Sequence, residues 1–329
     1  MNPKYLFIRI LEACNADCFM CEFALSKDSY RMSVADFTET VVQAQATGVE
    51  LVRFSGGEPL MHPDVVAFVT VAHDLGIKTS TITNGWLLER KAAELVAAGL
   101  DSVVVSIDGA APDTHDLFRR TAGLFDRAIA GVRECLALGL RVRVNTVVGP
   151  HNYQEIPRLS KELTGLGVQE WEVQAIKLER AVGYPDPATV LATCEPVYAQ
   201  HLEGHLTPLM VGKRFYGDTA DEQAQFFQHG MLPRAAGPIC HLTDDVMYID
   251  GKNGRVYSCN CLPHRPGASE DGGELFDQQG RLQLISPGLI RHRDYFREHG
   301  PSECTGCSPT AAGYSNAITT SGRPPEWSY

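Results

Sequence analysis

Between residues 14 and 21 the chain reads Cys-Asn-Ala-Asp-Cys-Phe-Met-Cys, which places three thiols within eight residues. A loop this short lets Cys14, Cys18 and Cys21 point at a common centre and wrap one face of an iron–sulfur cluster. A 4Fe-4S cluster normally takes four cysteines, so three leave one iron for a ligand that is not protein. A zinc knuckle or three buried thiols are the alternatives. Zinc favours four ligands drawn from paired CxxC or His pairs, and no such partner follows locally. A second set lies toward the C-terminus, formed by Cys240, Cys259, Cys304 and Cys307. Four thiolates there would saturate all four irons of a second 4Fe-4S cluster, with a structural zinc as the alternative. Cys261 is an alternative ligand in that set. Cys135 and Cys194 read as ordinary buried thiols.

These residues need a frame. The apolar run YLFIRIL is a short buried strand that leads into the first cysteine loop. Residues 33–48 follow as a helix with a Ser N-cap, ending at Gly48. Strand-like and helix-like runs then alternate: 49–55, 77–83, 101–108, 140–148 and 168–177 as strands, with 62–76, 86–99, 125–139 and 153–167 as helices. Strands recurring every ~30 residues with helices between them imply βαβ units and a parallel sheet. Six units are too few for an eight-stranded barrel. A Rossmann sheet competes, but no GxGxxG fingerprint occupies the first turn. The fold class is therefore α/β, a partial (β/α)6 barrel of the TIM type. From about residue 181 no further βα repeat is evident. VMYID and RVYSC read as a hairpin across Gly251-Lys252-Asn253-Gly254.

The loops after the strands carry the remaining chemistry, as barrel sites do. They are Ser55-Gly56-Gly57-Glu58-Pro59, Thr83-Asn84-Gly85 and Ser106-Ile107-Asp108-Gly109. Glycines admit close backbone approach to a ligand, and Glu58 offers an anion for an ammonium group. Ser106 and Asp108 point to one side, because direction alternates along a strand. With CxxxCxxC, these loops and their order resemble the radical S-adenosylmethionine (SAM) superfamily. One departure is that the residue before the third cysteine, commonly aromatic in that family, is Met20, with Phe19 one place earlier.

The resemblance implies several things. The open iron binds the amino and carboxylate groups of SAM, and reductive cleavage yields a 5′-deoxyadenosyl radical that abstracts hydrogen from substrate. A flavodoxin- or ferredoxin-type protein donates the electron. The 55–58 loop holds the SAM amino group, Asn84 belongs to the matching turn, and Ser106 and Asp108 lie near the SAM ribose or the substrate. Asn145 suits a ribose hydroxyl. Arg119 or Arg120 clamps the SAM carboxylate, since a guanidinium binds carboxylate bidentately, or orders the site; a solvated helix start is the other reading. Lys177, Glu179 and Arg180 close the sixth strand. Three charges at a barrel mouth are costly without a polar ligand or partners, which makes them substrate contacts or a mutual salt-bridge cluster.

The second cysteine set resembles the twitch domain, the shortened form of the SPASM extension. That divides the chain into a barrel (1–180), a linker with helix (181–234), a twitch domain (235–310) and a tail (311–329). Tyr314, Asn316 and Arg323 in the tail are available for polar contacts over the site. Twitch enzymes of this length resemble those acting on aminocyclitols, sugars and nucleoside sugars in antibiotic biosynthesis, with cytosylglucuronic acid decarboxylation the nearest likeness. A dehydrogenase of an aminocyclitol, a SPASM-type peptide-modifying enzyme and a non-catalytic electron-transfer protein are the other readings.

Composition limits the rest. The 329 residues are 44% hydrophobic and 21% charged, an ordinary globular balance. A net charge of -11 argues against a general nucleic-acid binder. No run of about 18 apolar residues exists, and the N-terminus lacks a signal-peptide pattern. A cytoplasmic protein is expected, and its ten cysteines then favour metal ligation over disulfides.

Overall fold

The computed structural model describes residues 3–21, 23, 26, 28–176, 183–184, 186–202, 207–230, 232, 242–259 and 272–299, the last five without their side chains. The expected alternation is present. Strands β1 (Tyr5–Leu11), β2 (Leu51–Gly56), β3 (Lys78–Thr83), β4 (Ser102–Ser106), β5 (Arg141–Val148) and β6 (Glu170–Ala175) each pair in parallel with the next. Helices α1 (Val34–Thr47), α2 (Val65–Asp74), α3 (Leu88–Ala97), α4 (Pro112–Arg119), α5 (Leu124–Ala137) and α6 (Ile156–Leu166) return the chain between them. This is a mixed α/β fold whose parallel sheet has the character of a partial TIM-type barrel.

Local chemistry sets the boundaries. Ser33 starts α1 by accepting the Asp36 backbone N–H at 3.0 Å, and Gly48 ends it in the left-handed region at φ 92°. Alternate strand residues such as Leu6, Ile8, Val52, Phe54, Val103, Val105, Val142 and Val144 join the cluster under the helices. Phe37 of α1 stacks on Phe68 of α2 with ring centroids 4.4 Å apart. The intervening strand positions, Arg9, Arg53, Ser80, Arg143 and Glu172 among them, are buried and polar, and the period of two turns them toward the barrel side of the sheet.

The sheet runs past residue 181, where no further repeat was expected. After α7 (Pro187–Leu202), β7 (Leu209–Val211) pairs in parallel with β6. Three residues are too short to display an alternation, which explains why the sequence concealed it. At the other edge, β8 (Val246–Asp250) and β9 (Arg255–Tyr257) form the expected antiparallel hairpin. β8 also pairs in parallel with β1, from Tyr5↔Val246 to Arg9↔Asp250, and β10 (Gly273–Glu274) closes the order β10-β9-β8-β1-β2-β3-β4-β5-β6-β7. All five residues of β8 are buried, as suits a strand with a neighbour on each side and cover on both faces. Among the described residues no helix is long and apolar enough to cross a membrane.

Candidate metal centre

Cys14, Cys18 and Cys21 follow the C-terminal end of β1, at the face of a barrel where loops build sites. The loop is held from below by backbone. Gly57 N–H donates to Leu11 O and Glu58 N–H to Ala13 O, each at 2.9 Å. A Cβ on Gly56 would meet Leu11 O at 2.2 Å, and one on Gly57 would meet Ala13 O at 2.2 Å. The glycines therefore admit the protein's own cysteine loop, where close approach of a ligand was expected.

Glu58 also differs from expectation. Its carboxylate is 1% exposed. It accepts Thr83 Oγ1 at 2.6 Å, Asn84 N–H at 2.7 Å and Leu60 N–H at 3.1 Å. Burial pushes this carboxyl upward, and the three donors pull against that. In this structure it latches the β2 loop onto the end of β3 rather than presenting an open anion. Asn84, thus fixed, donates from Nδ2 to Asn15 Oδ1 at 2.8 Å and lies 3.9 Å from Cys14 Sγ. Ser55 is half-buried and donates to Ile8 O at 3.3 Å.

Asp108 and Arg119 are brought together. Arg119 Nε donates to Asp108 Oδ2 at 2.7 Å, and Asp108 Oδ1 accepts Val147 N–H at 2.7 Å. Asp108 is 1% exposed, with its two oxygens taken by Arg119 and the Val147 amide. Arg119 Nη1 reaches Cys18 Sγ at 4.0 Å. The residue closes α4, where a cation suits the helix dipole, and it is buried; a solvated helix start is excluded. Arg120 is exposed in the left-handed conformation, φ 48°, with its guanidinium 5.8 Å above the Phe19 ring.

Ser106 and Asn145 are register partners and both half-buried. Asn145 Oδ1 is buried without a hydrogen-bond partner among the described residues. Phe19, not Met20, joins the aromatic set: its ring packs edge-on to Phe118 at 5.0 Å and to His151 at 5.7 Å. Met20 lies with Cys14, Cys21 and Trp86 against Ala16, Cys18 and Leu124.

Several positioning residues escaped sequence reasoning. His115 Nδ1 accepts the Asp108 N–H at 3.0 Å, and burial lowers its pKa to about 3. Asn152 Nδ2 donates to Asp108 O at 2.8 Å and Val147 O at 2.9 Å. Nothing in spacing marks a histidine that braces a backbone amide. Lys177, Glu179 and Arg180 lie outside the described residues, as do Cys240, Cys261, Cys304, Cys307, Tyr314, Asn316 and Arg323. Cys259, after β9, is 7% exposed. Cys135 and Cys194 are fully buried, their thiols pushed to about 12 by burial, in keeping with structural roles.

The donor set fits an iron–sulfur cluster. The loop sulfurs receive N–H groups from Ala16 (3.4 Å to Cys14), Asn84 and Arg119, which suits anionic sulfur. Burial raises the Cys14 thiol to about 11 and raises Cys18 as well, against the pull of Arg119; ligation to a cationic centre would reverse that. Among the described residues no three His, Cys, Asp or Glu side chains converge on a single ion.

Known proteins agree with this geometry. Residues 8–163 match the model of the Radical SAM superfamily. The "AdoMet-dependent heme synthase" of Methanosarcina barkeri is 30% identical over 220 residues, covering 60% of this chain and 63% of that protein. A "Probable GTP 3',8-cyclase" of Saccharolobus solfataricus is 34% identical over 170 residues, covering 50% and 54%. The chain thus spans between half and two thirds of the length of these curated relatives. Streptococcus suis SuiB bound to S-adenosylmethionine superposes with TM-score 0.69 over 96% of this chain and 74% of that one, at 18% identity. Native anSMEcpe with bound AdoMet gives 0.64 over 96% of each, at 15% identity. These two likenesses show the fold. The stretch that matches the Radical SAM superfamily model, residues 8–163, thus runs from within β1, through the cysteine loop, into α6.

Proposed function

We propose that the protein is a radical SAM enzyme whose Cys14, Cys18 and Cys21 hold a 4Fe-4S cluster with one iron free for the amino and carboxylate groups of SAM. One observation carries this reading: three thiols stand at the C-terminal face of the barrel sheet with Asn84 and Arg119 aimed at their sulfurs. When bound, the cluster and SAM supply a 5′-deoxyadenosyl radical able to take a hydrogen atom from a substrate carbon. The protein supplies position. Gly56 and Gly57 seat the loop, Glu58 and Asn84 lock it to β3, and the Asp108–Arg119 pair places one guanidinium beside Cys18. Asn145 Oδ1 and Ser106 offer polar atoms within the barrel for a ribose or substrate hydroxyl.

The substrate class is a small sugar, nucleoside sugar or aminocyclitol, with decarboxylation or dehydration of a glycosyl nucleoside such as cytosylglucuronic acid as the leaning. A curated relative bears the name of a nucleotide cyclase, which is compatible with a nucleoside ligand. Cys259, with Cys240, Cys304 and Cys307, takes a second 4Fe-4S cluster in a twitch-like unit, and a flavodoxin or ferredoxin supplies the electron in the cytoplasm.

Anaerobic reconstitution tests both clusters. About eight irons per chain, falling to about four in the Cys14/Cys18/Cys21→Ala variant, supports two independent clusters. About four falling to none removes the second cluster. No iron uptake, or no 5′-deoxyadenosine from SAM and reductant, overturns the assignment.

A further inference from the structure

The turn between β8 and β9 reaches both ends of the cysteine loop. Glu12 lies two residues before Cys14 and is 2% exposed. One of its carboxylate oxygens accepts Arg9 Nη2, and the other accepts Lys252 Nζ at 3.2 Å. The same Nζ stands 3.5 Å from Asp28 Oδ2, on the far side of Cys21. One ammonium group on the hairpin turn therefore touches a carboxylate ahead of the loop and another behind it.

The turn that carries Lys252 is itself fixed. Arg9 Nη1 donates to Asp250 Oδ2 at 3.0 Å, and Asn253 Nδ2 donates to the same oxygen at 2.7 Å. A Cβ on Gly251 would lie 1.8 Å from Tyr30 Oη. The Tyr30 carbonyl, in turn, accepts the Glu12 N–H at 3.1 Å. Charge bookkeeping also favours a clamp over an anion site: Arg9 and Lys252 face Glu12, Asp28 and Asp250, so no positive charge is left over.

We propose that Lys252 is a positioning residue for the three-cysteine loop, which it closes at its base by bridging Glu12 to Asp28. The clamp makes the hairpin, whose second strand leads to Cys259, a wall of the loop that precedes it by over two hundred residues in sequence. Removing Lys252 leaves Glu12 held by Arg9 and Asp28 held only locally, by the Tyr30 N–H at 2.7 Å, so the two ends are no longer bridged and the thiols lose their fixed spacing without loss of a ligand. The proposal rests on the cluster reading above, and it is tested by two readouts that separate the two.

The first readout is the rate at which an iron chelator strips the reconstituted protein, together with the change that SAM causes in the electron paramagnetic resonance spectrum of the reduced cluster. The second is alkylation of Cys18 in cluster-free protein, followed by peptide mass spectrometry. K252M is expected to release the iron about 10-fold faster, the size typical of outer-shell changes, with a weaker SAM response. Cys18 labelling should accelerate with an unchanged melting midpoint. K252R, which can span both carboxylates, should return each readout toward wild type. D28N should reproduce K252M, and the double variant should add nothing. Wild-type rates in K252M, or wild-type rates in D28N beside a fast K252M, overturn the bridge. If the wild type takes up no iron, the cluster reading falls, and the Cys18 labelling contrast still decides the clamp.

Discussion

Arg119 and Arg143 make the same bond in two places. Each is buried, and each donates from Nε to one carboxylate: Arg119 to Asp108 at 2.7 Å, Arg143 to Glu170 at 2.8 Å. Their positions along the strands differ. Arg143 sits near the start of β5, and Glu170 opens β6 as its register partner. Asp108 lies just past the end of β4, and its second oxygen holds the Val147 amide. Barrels place stability at the N-terminal ends of their strands and chemistry at the C-terminal ends. The Arg143 pair ties β5 to β6, whereas Arg119 extends past its acid to a cysteine sulfur at 4.0 Å. Strand polarity, rather than the bond, assigns the role.

The largest expected effects break this comparison most directly. R119M leaves the buried Asp108 carboxylate without a cation, which costs about 3–5 kcal/mol of folding stability, and R143M leaves the buried Glu170 with only the exposed Arg141, a smaller but still large loss. Urea unfolding of the cluster-free proteins measures that loss. The two should part in chemistry: R119M lowers cluster retention or 5′-deoxyadenosine formation about 10- to 100-fold, while R143M keeps the wild-type yield per bound iron. Adding D108N to R119M removes the stranded charge, so it should recover stability without recovering chemistry. Loss of per-iron yield in R143M would show that the two ends of the barrel are not separable.

A second difference lies behind the acids. The Asp108 backbone N–H donates to His115 Nδ1 at 3.0 Å, so the neutral ring carries its proton on Nε2. That side chain is fully buried beside Arg119, and burial lowers its pKa to about 3. Below the ordinary value of about 6.5, the unfolded chain binds a proton that the folded state refuses. Stability is therefore intact above about pH 6.5 and falls as the solution is acidified, by about 2 kcal/mol at pH 5. Urea midpoints from pH 7 to pH 5 should drop in the wild type and in R143M. In H115Q, which retains an acceptor for the Asp108 amide, the histidine share of that slope disappears. An unchanged slope in H115Q would assign the acid sensitivity to other groups.

How much of this was legible in the sequence follows the same division. The cysteine loop, the GGEP and SIDG turns and six βα units were readable because spacing and period encode them. What Glu58 and Asp108 do was not, because residue type reveals a carboxylate but not the donors that will occupy it. Thr83, Asn84 and Leu60 occupy Glu58; Arg119 and Val147 occupy Asp108. Their partners come from other strands, and only the assembled barrel brings them within reach. β7 was hidden for a different reason, being three residues long. The attachment of β8 to β1 was hidden because a hairpin fixes its own register and says nothing about its outer neighbour.

The smallest expected effect sharpens the meaning of burial within the Glu170 site itself. Glu170 accepts Arg141 on one oxygen and Arg143 on the other. The Arg141 side chain is 54% exposed and that of Arg143 only 5%. Two cations thus share one acid under different solvation. An exposed guanidinium regains water when its pair breaks, so R141A should cost below about 1 kcal/mol, and raising the salt concentration should shrink even that. R143M should remain severe under the same salt, since its acid stays desolvated. Equal losses in the two variants would mean that total charge around Glu170, rather than burial of one arginine, holds β5 to β6, and the contrast with Arg119 would then rest on position alone.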